Sequence, residues 1–175
     1  NKDIGERLNI SGVLGANIRR NKFQSIFNET NGGLIVEGLY AISNSVGTPP
    51  AAQESLREIG VDGIYGLVSL GYNNLLYLDV TGRNDWSSTL PQENNSFFYP
   101  SIATSFIFSN LIESDVLSFG KLRLNYAEVG NSAPAHSLVD VLNKPTPFGA
   151  TQLYSVNSTK NNPALKPENT TSYEA

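Results

Sequence analysis

The chain has 175 residues, of which 16% are charged, and 12 Lys and Arg against 16 Asp and Glu leave a formal charge of −4. With no basic cluster beyond Arg19-Arg20, nucleic acid has nothing to bind by charge. Cysteine is absent, which excludes disulfides and thiolate metal sites, and no apolar run approaches the ~18 residues of a membrane-spanning helix.

The mean hydropathy of −0.21 and a charged fraction below the ~25% of ordinary soluble domains suit strands whose two faces meet different surroundings. A membrane β-barrel and a secreted β-sandwich both satisfy that description. The opening residues Asn1-Lys2-Asp3-Ile4-Gly5-Glu6 lack the basic start and apolar run of a signal peptide. The expectation is a piece of a longer protein.

Period-two alternation dominates. From Arg7 to Arg19 the even positions are Leu8, Ile10, Gly12, Leu14, Ala16 and Ile18, and the odd ones are polar or small except Val13. A strand of about 12 residues exceeds the roughly 5–6 of globular sheets and reaches the ~9–11 of membrane-spanning strands. Asn21 to Ile59 is expected to be a long polar connection, with Glu54, Arg57 and Glu58 on a short helix.

The next strand sets Ile64, Gly66, Val68, Leu70 and Tyr72 on one face. Asn73-Asn74 predicts a tight turn. The chain resumes with Leu76, Leu78, Val80 and Gly82 against Tyr77, Asp79, Thr81, Arg83 and Asp85. A charge facing hydrocarbon near the midplane costs about 2–4 kcal/mol, so in a barrel Asp79 and Arg83 take the lumen side and the leucines face outward. Phe97 to Phe108 forms a softer strand with Pro100 near its start or at a bulge. Ser109 to Ser118 is a short connection with one helical turn. Lys121 to Val129 opposes Leu122, Leu124 and Tyr126 to Lys121, Arg123 and Asn125, and a last strand begins at Thr171. Long connections fall on one side and short ones on the other, as in outer-membrane barrels.

Asp79, Arg83 and Asp85 share a strand face. They either line a lumen and touch substrate or a plug, or satisfy one another across neighbouring strands. Arg123 and Asn125 invite the same two readings. Trp86 stacks on a sugar, packs within its loop or belongs to the aromatic belt, into which Tyr72 and Tyr77 on the turn side and Phe97, Phe98 and Tyr99 on the loop side also fit. His136 is a lone loop histidine without a Cys partner. No Ser/His/Asp set points to catalysis, and Asp79 and Asp85 lie ~20 Å apart on an extended strand, beyond glycosidase spacing. The chain is expected to be neither an enzyme nor a cofactor binder.

Tyr77 to Pro91, reading YLDVTGRNDWSSTLP, resembles a signature of SusC/RagA-like TonB-dependent outer-membrane transporters. So do Phe98-Tyr99-Pro100-Ser101-Ile102, the run from Phe119 to Ala127, and Asn162 to Glu168 leading into Ser172-Tyr173-Glu174-Ala175. The resemblance implies an all-β fold, with antiparallel strands forming part of a 22-stranded transmembrane β-barrel that a separate domain plugs. It also implies import of oligosaccharides or peptides across the bacterial outer membrane, with TonB and a SusD-like lipoprotein as partners and membrane lipid around the wall. No TonB box, plug or signal peptide is recognised. The expectation is therefore that residues 1–175 form a partial barrel domain whose roughly six strands do not close. A secreted β-sandwich that binds carbohydrate is the rival. It buries Leu8, Ile10, Leu76, Leu78, Leu122 and Leu124 under a second sheet, where a barrel exposes them.

Overall fold

Alternating residues place β-strands, and backbone pairing assembles them in chain order. The structure is a computed structural model and describes residues 2–5, 7–112, 117–145 and 148–175. The strands are β1 (Lys2–Ile4), β2 (Leu8–Phe27), β3 (Asn31–Leu34), β4 (Ser45–Gly47), β5 (Gln53–Tyr72), β6 (Leu76–Ser87), β7 (Ser96–Phe106), β8 (Leu122–Asn131), β9 (Leu142–Asn143), β10 (Ser155–Val156) and β11 (Glu168–Glu174). Seven of them form one antiparallel sheet in the order β1-β2-β5-β6-β7-β8-β11. The small β3/β4 and β9/β10 pairs stand in the connections.

The register aligns the apolar faces across the sheet. Ile10 pairs with Leu70, Leu70 with Leu78, Leu78 with Thr104 and Thr104 with Leu124. Gly12, Val68, Val80, Ile102, Tyr126 and Tyr173 form another complete row. Because side chains alternate with period two, the outward face is apolar across these rows except at Thr104, whose hydroxyl donates to Tyr77 O at 3.2 Å. Asp79, Thr81, Arg83 and Asp85 lie on the opposite face, as the alternation predicts. The outward face is open: Leu14 is 88% and Ile18 77% exposed. Among the described residues no second sheet covers the leucines, so the packing that the β-sandwich rival requires is not present. Within the sheet the most buried side chains, Val61, Asp85, Ser87 and Phe97, all belong to the other face, and Asn44, Thr89 and Leu90 are buried in the connections.

The outward polar limit crosses the rows at a slant. It runs through Arg20 on β2, Asp62 on β5, Asn84 on β6, Glu128 on β8 and Thr171 on β11, with one reversal at β7. From β2 to β11 it falls by six positions, ~20 Å along a strand, over five strand spacings totalling ~24 Å. That slope of ~40° equals the usual tilt of membrane-barrel strands. A flat membrane boundary drawn on tilted strands produces this line.

Between Tyr72 and Leu76 the chain turns through Asn73, Asn74 and Leu75. The two asparagines hold φ of 51° and 53°, a left-handed pair that Asn accepts better than most residues. Leu75 N–H donates to Tyr72 O at 2.9 Å and closes the turn. The β7–β8 connection carries a 3₁₀ turn at Phe108–Leu111, while Glu113 to Val116 lie outside the described residues. The long connections, 28–52 and 132–167, share one side with 88–95.

Several expectations are corrected. Residues 21–27 and 53–59 are strand, paired from Asn21↔Ile59 to Phe27↔Gln53, where the sequence had suggested a loop and a helix at Glu54, Arg57 and Glu58. Alternation vanishes there because both faces leave the membrane; cross-strand contacts hold the ribbon instead. Arg20 binds Asp62 at 2.5 and 2.9 Å, Lys22 meets Glu58 at 3.0 Å, and the Arg57 guanidinium lies 4.6 Å from the Phe23 ring centre. The last strand starts at Glu168, three residues before the expected Thr171. Tyr77, Phe97 and Tyr99 occupy the inner face, so of the suggested belt residues only Tyr72, Trp86 and Phe98 face outward.

Candidate functional site

A polar network spans the inner face at the loop-side end of the sheet. Register places Asn17 on β2 beside Gly63 on β5, Gly63 beside Asp85 on β6, and Asp85 beside Phe97 on β7. One row below come Gly15, Tyr65, Arg83 and Tyr99. Strand periodicity thus brings four strands' side chains into one patch.

Arg83 is its centre. Its Nη2 donates to Asn17 Oδ1 at 2.6 Å, its Nε meets Asp85 Oδ1 at 2.9 Å, and its guanidinium sits 5.7 Å from the Tyr65 ring centre. The Tyr99 hydroxyl donates to Asp85 Oδ2 at 2.5 Å, and the Tyr99 ring stacks on Phe97 at 6.0 Å. Asp85 Oδ1 is fully buried and, among the described residues, no hydrogen bond of good geometry reaches it. The Arg83 charge compensates it. Burial makes that compensation matter, since an uncompensated carboxylate in such surroundings is strongly disfavoured.

Glycines make room for the long side chains. A Cβ on Gly63 would collide with Asp85 Oδ1, Asn17 Oδ1 and Arg83 Nη2. The Tyr65 ring lies across its direct partner Gly15, where a Cβ would strike the ring. This is aromatic cover of a glycine, a device that stiffens curved sheets.

The candidates from sequence divide into groups. Arg83 and Asp85 are brought together, joined by Asn17 and Tyr99, which alternation alone could not pick out because their partnership depends on register. Asp79 is exposed on the same face, in the row Ser11, Ser69, Asp79, Ala103, Asn125. Ala103 separates it from Asn125, whose Nδ2 donates to Glu174 at 3.4 Å. Arg123 is exposed one row nearer the turn side, opposite Ser105. Trp86 faces the other way, beside Asp62 and Ser96 and with the aliphatic belt below it. It therefore lies apart from the lumen candidates with which it was grouped.

On the outward face of the sheet, Arg20 and Asp62 sit just beyond the apolar belt. Their hydrogen bond holds the Asp62 carboxyl below its usual range and raises the Arg20 guanidinium. Among the described residues no group of three or more His, Cys, Asp or Glu could hold a metal. The network's donors and acceptors are arranged to bind and position, with the guanidinium fixed by two neighbours.

An apolar outer face, a polar inner face and a ~40° slant define a segment of transmembrane-type β-barrel wall. Residues 2–175 match the family described as TonB dependent receptor-like, beta-barrel, and the chain belongs to that family. A TonB-dependent receptor, P26, from Formosa agariphila is 27% identical over 135 residues, covering 75% of this chain and 14% of that protein. The structure of the RagAB peptide transporter superimposes with a TM-score of 0.83 at 22% identity, covering 98% of this chain and 20% of that one. The RagAB peptide importer in the open-open state gives 0.79 at 21% identity, over 98% of this chain and 19% of that one. The chain thus spans a fifth or less of each relative's length.

Proposed function

We propose that this chain is part of the wall of a TonB-dependent importer in a bacterial outer membrane. The observation that carries the proposal is the outward apolar face, which bears no charge between the turn side and the slanting polar limit, backed by an inner face that holds Asp79, Arg83 and Asp85. The parent protein takes up peptides or oligosaccharides together with a SusD-like lipoprotein, with residues 1–175 forming one portion of the barrel domain. The likeness to RagAB, described as a peptide transporter, favours peptides. The inner-face network around Arg83 and Asp85 stiffens the wall beside the solute path, and Asp79, Arg123 and Asn125 remain open to solute.

The test is uptake of labelled peptides and oligosaccharides by cells expressing the full-length parent, with and without TonB. TonB-dependent uptake of one of these classes is expected. Equal uptake in both backgrounds, or none, overturns the proposal.

A further inference from the structure

The ribbon of β2 and β5 outruns the rest of the sheet. β6 ends at Ser87, opposite Val61, and beyond that point β5 has a free edge. Gly60 is still engaged there: its carbonyl accepts from Ser88 N–H at 2.9 Å, and its N–H donates to Ser88 Oγ at 2.9 Å. Four residues away, the Leu56 carbonyl accepts from the His136 ring at 3.0 Å. Main-chain groups alternate sides along a strand, so Glu58, midway between them, turns its own N–H and C=O to the same edge. Among the described residues no hydrogen bond outside the strand ladder reaches either group.

Beside this position lies a cavity of about 300 Å³. Glu58 and Thr89 contribute to its lining, and the β8–β11 connection adds His136, Leu138, Val139 and Val141. That connection crosses the ends of β6 and β7 to reach β5, and His136 fastens it there. The volume is at the low end for a small-molecule site: room for a residue or two, and too little for a folded domain.

We propose that the open edge of β5 at Glu58 binds an extended peptide by strand addition, with one apolar side chain entering this cavity. The inference rests on the transport reading and supplies a substrate contact for it. A main-chain donor and acceptor at strand spacing are what a peptide backbone needs, and they bind it whatever its sequence. The apolar wall of Leu138, Val139 and Val141 suits a Val- or Leu-sized side chain. A sugar would find no Phe, Tyr or Trp plate there, and the polar lining is limited to Glu58, Ser88, Thr89 and His136. Lys22 pairs with Glu58 at 3.0 Å, which leaves the mouth nearly neutral and tolerant of peptide charge.

The experiment uses the purified full-length parent and the blocked pentapeptide acetyl-Ala-Val-Ala-Val-Ala-amide carrying a fluorescent label. Glu58→Pro removes the edge N–H while sparing the β2–β5 ladder, because that N–H points away from β2; Glu58→Gln keeps the main chain. Glu58→Pro is expected to weaken binding about tenfold or more and Glu58→Gln less than about twofold, as for loss of one main-chain hydrogen bond with its neighbours. N-methylation of the peptide on the unaltered protein provides a second readout, with losses expected only at alternate amides. Unchanged affinity in Glu58→Pro, uniform N-methyl effects, or no binding overturns the inference. So does a Glu58→Pro protein that loses a protein partner while keeping the peptide. TonB-dependent uptake that persists in Glu58→Pro cells removes this contact and leaves the transport reading standing. Absence of such uptake in unmutated cells removes the transport reading itself.

Discussion

Arg83 reaches Asn17, two strands away, because Gly63 stands between them without a side chain. The guanidinium passes over the glycine and carries the Asp85 carboxylate with it. A residue that looks like a gap in an otherwise regular strand is the condition for a polar contact that ties β6 to β2 across the inner face.

Gly63→Ala is therefore expected to destabilise the folded barrel by about 1–3 kcal/mol, the usual penalty for overfilling a tight site. Urea unfolding of the full-length parent in lipid vesicles checks it. A midpoint equal to the unmutated protein's would show that the network yields without cost.

Tyr99→Phe removes the donor to Asp85 Oδ2 and leaves the carboxylate with the Arg83 charge alone, at Oδ1. The expected loss is about 1–3 kcal/mol. In a double-mutant cycle with Asp85→Ala the two changes should be less than additive, since both break the same contact. Strict additivity would mean the two groups do not interact.

Leu78 and Asp79 are neighbours on opposite faces of β6. Leu78→Arg puts a charge against hydrocarbon at about 2–4 kcal/mol, whereas Asp79→Asn alters only the wet side. Membrane fractionation of the full-length parent should show a much lower yield for the first. Equal yields would reverse the assignment of the faces.

The Arg20–Asp62 pair predicts a pH dependence of the ribbon. The folded-state pKa of Asp62 is depressed, so the pair's stabilisation is fully present above the ordinary carboxylate range. It is lost as pH falls through the depressed value. Hydrogen exchange at residues 20–27 and 53–60 should quicken over that acid window, and Asp62→Asn should abolish the change. The effect is small because both side chains are about half exposed or more.

Strand faces were legible in the sequence because hydrocarbon on one side and water on the other force strict alternation. The same physics explains the blind spot at residues 21–27 and 53–59. Once both faces meet water, a strand carries no period-two signature, and Lys22–Glu58 or Phe23–Arg57 become visible only through register. Asn17 and Tyr99 were missed for a related reason: each is an ordinary inner-face residue until pairing sets it beside β6. Trp86 was assigned by its neighbourhood in sequence, where its parity with Gly82 and Asn84 already placed it outside.

The oblique polar limit has a consequence for immersion. Val68 and Tyr173 face each other's row across the sheet, yet Val68 has apolar neighbours above and below while Tyr173 stands at the headgroup border. Two sites level in backbone pairing thus differ in depth by a good part of a leaflet. The same arginine placed at each would be nearly harmless at one and ruinous at the other.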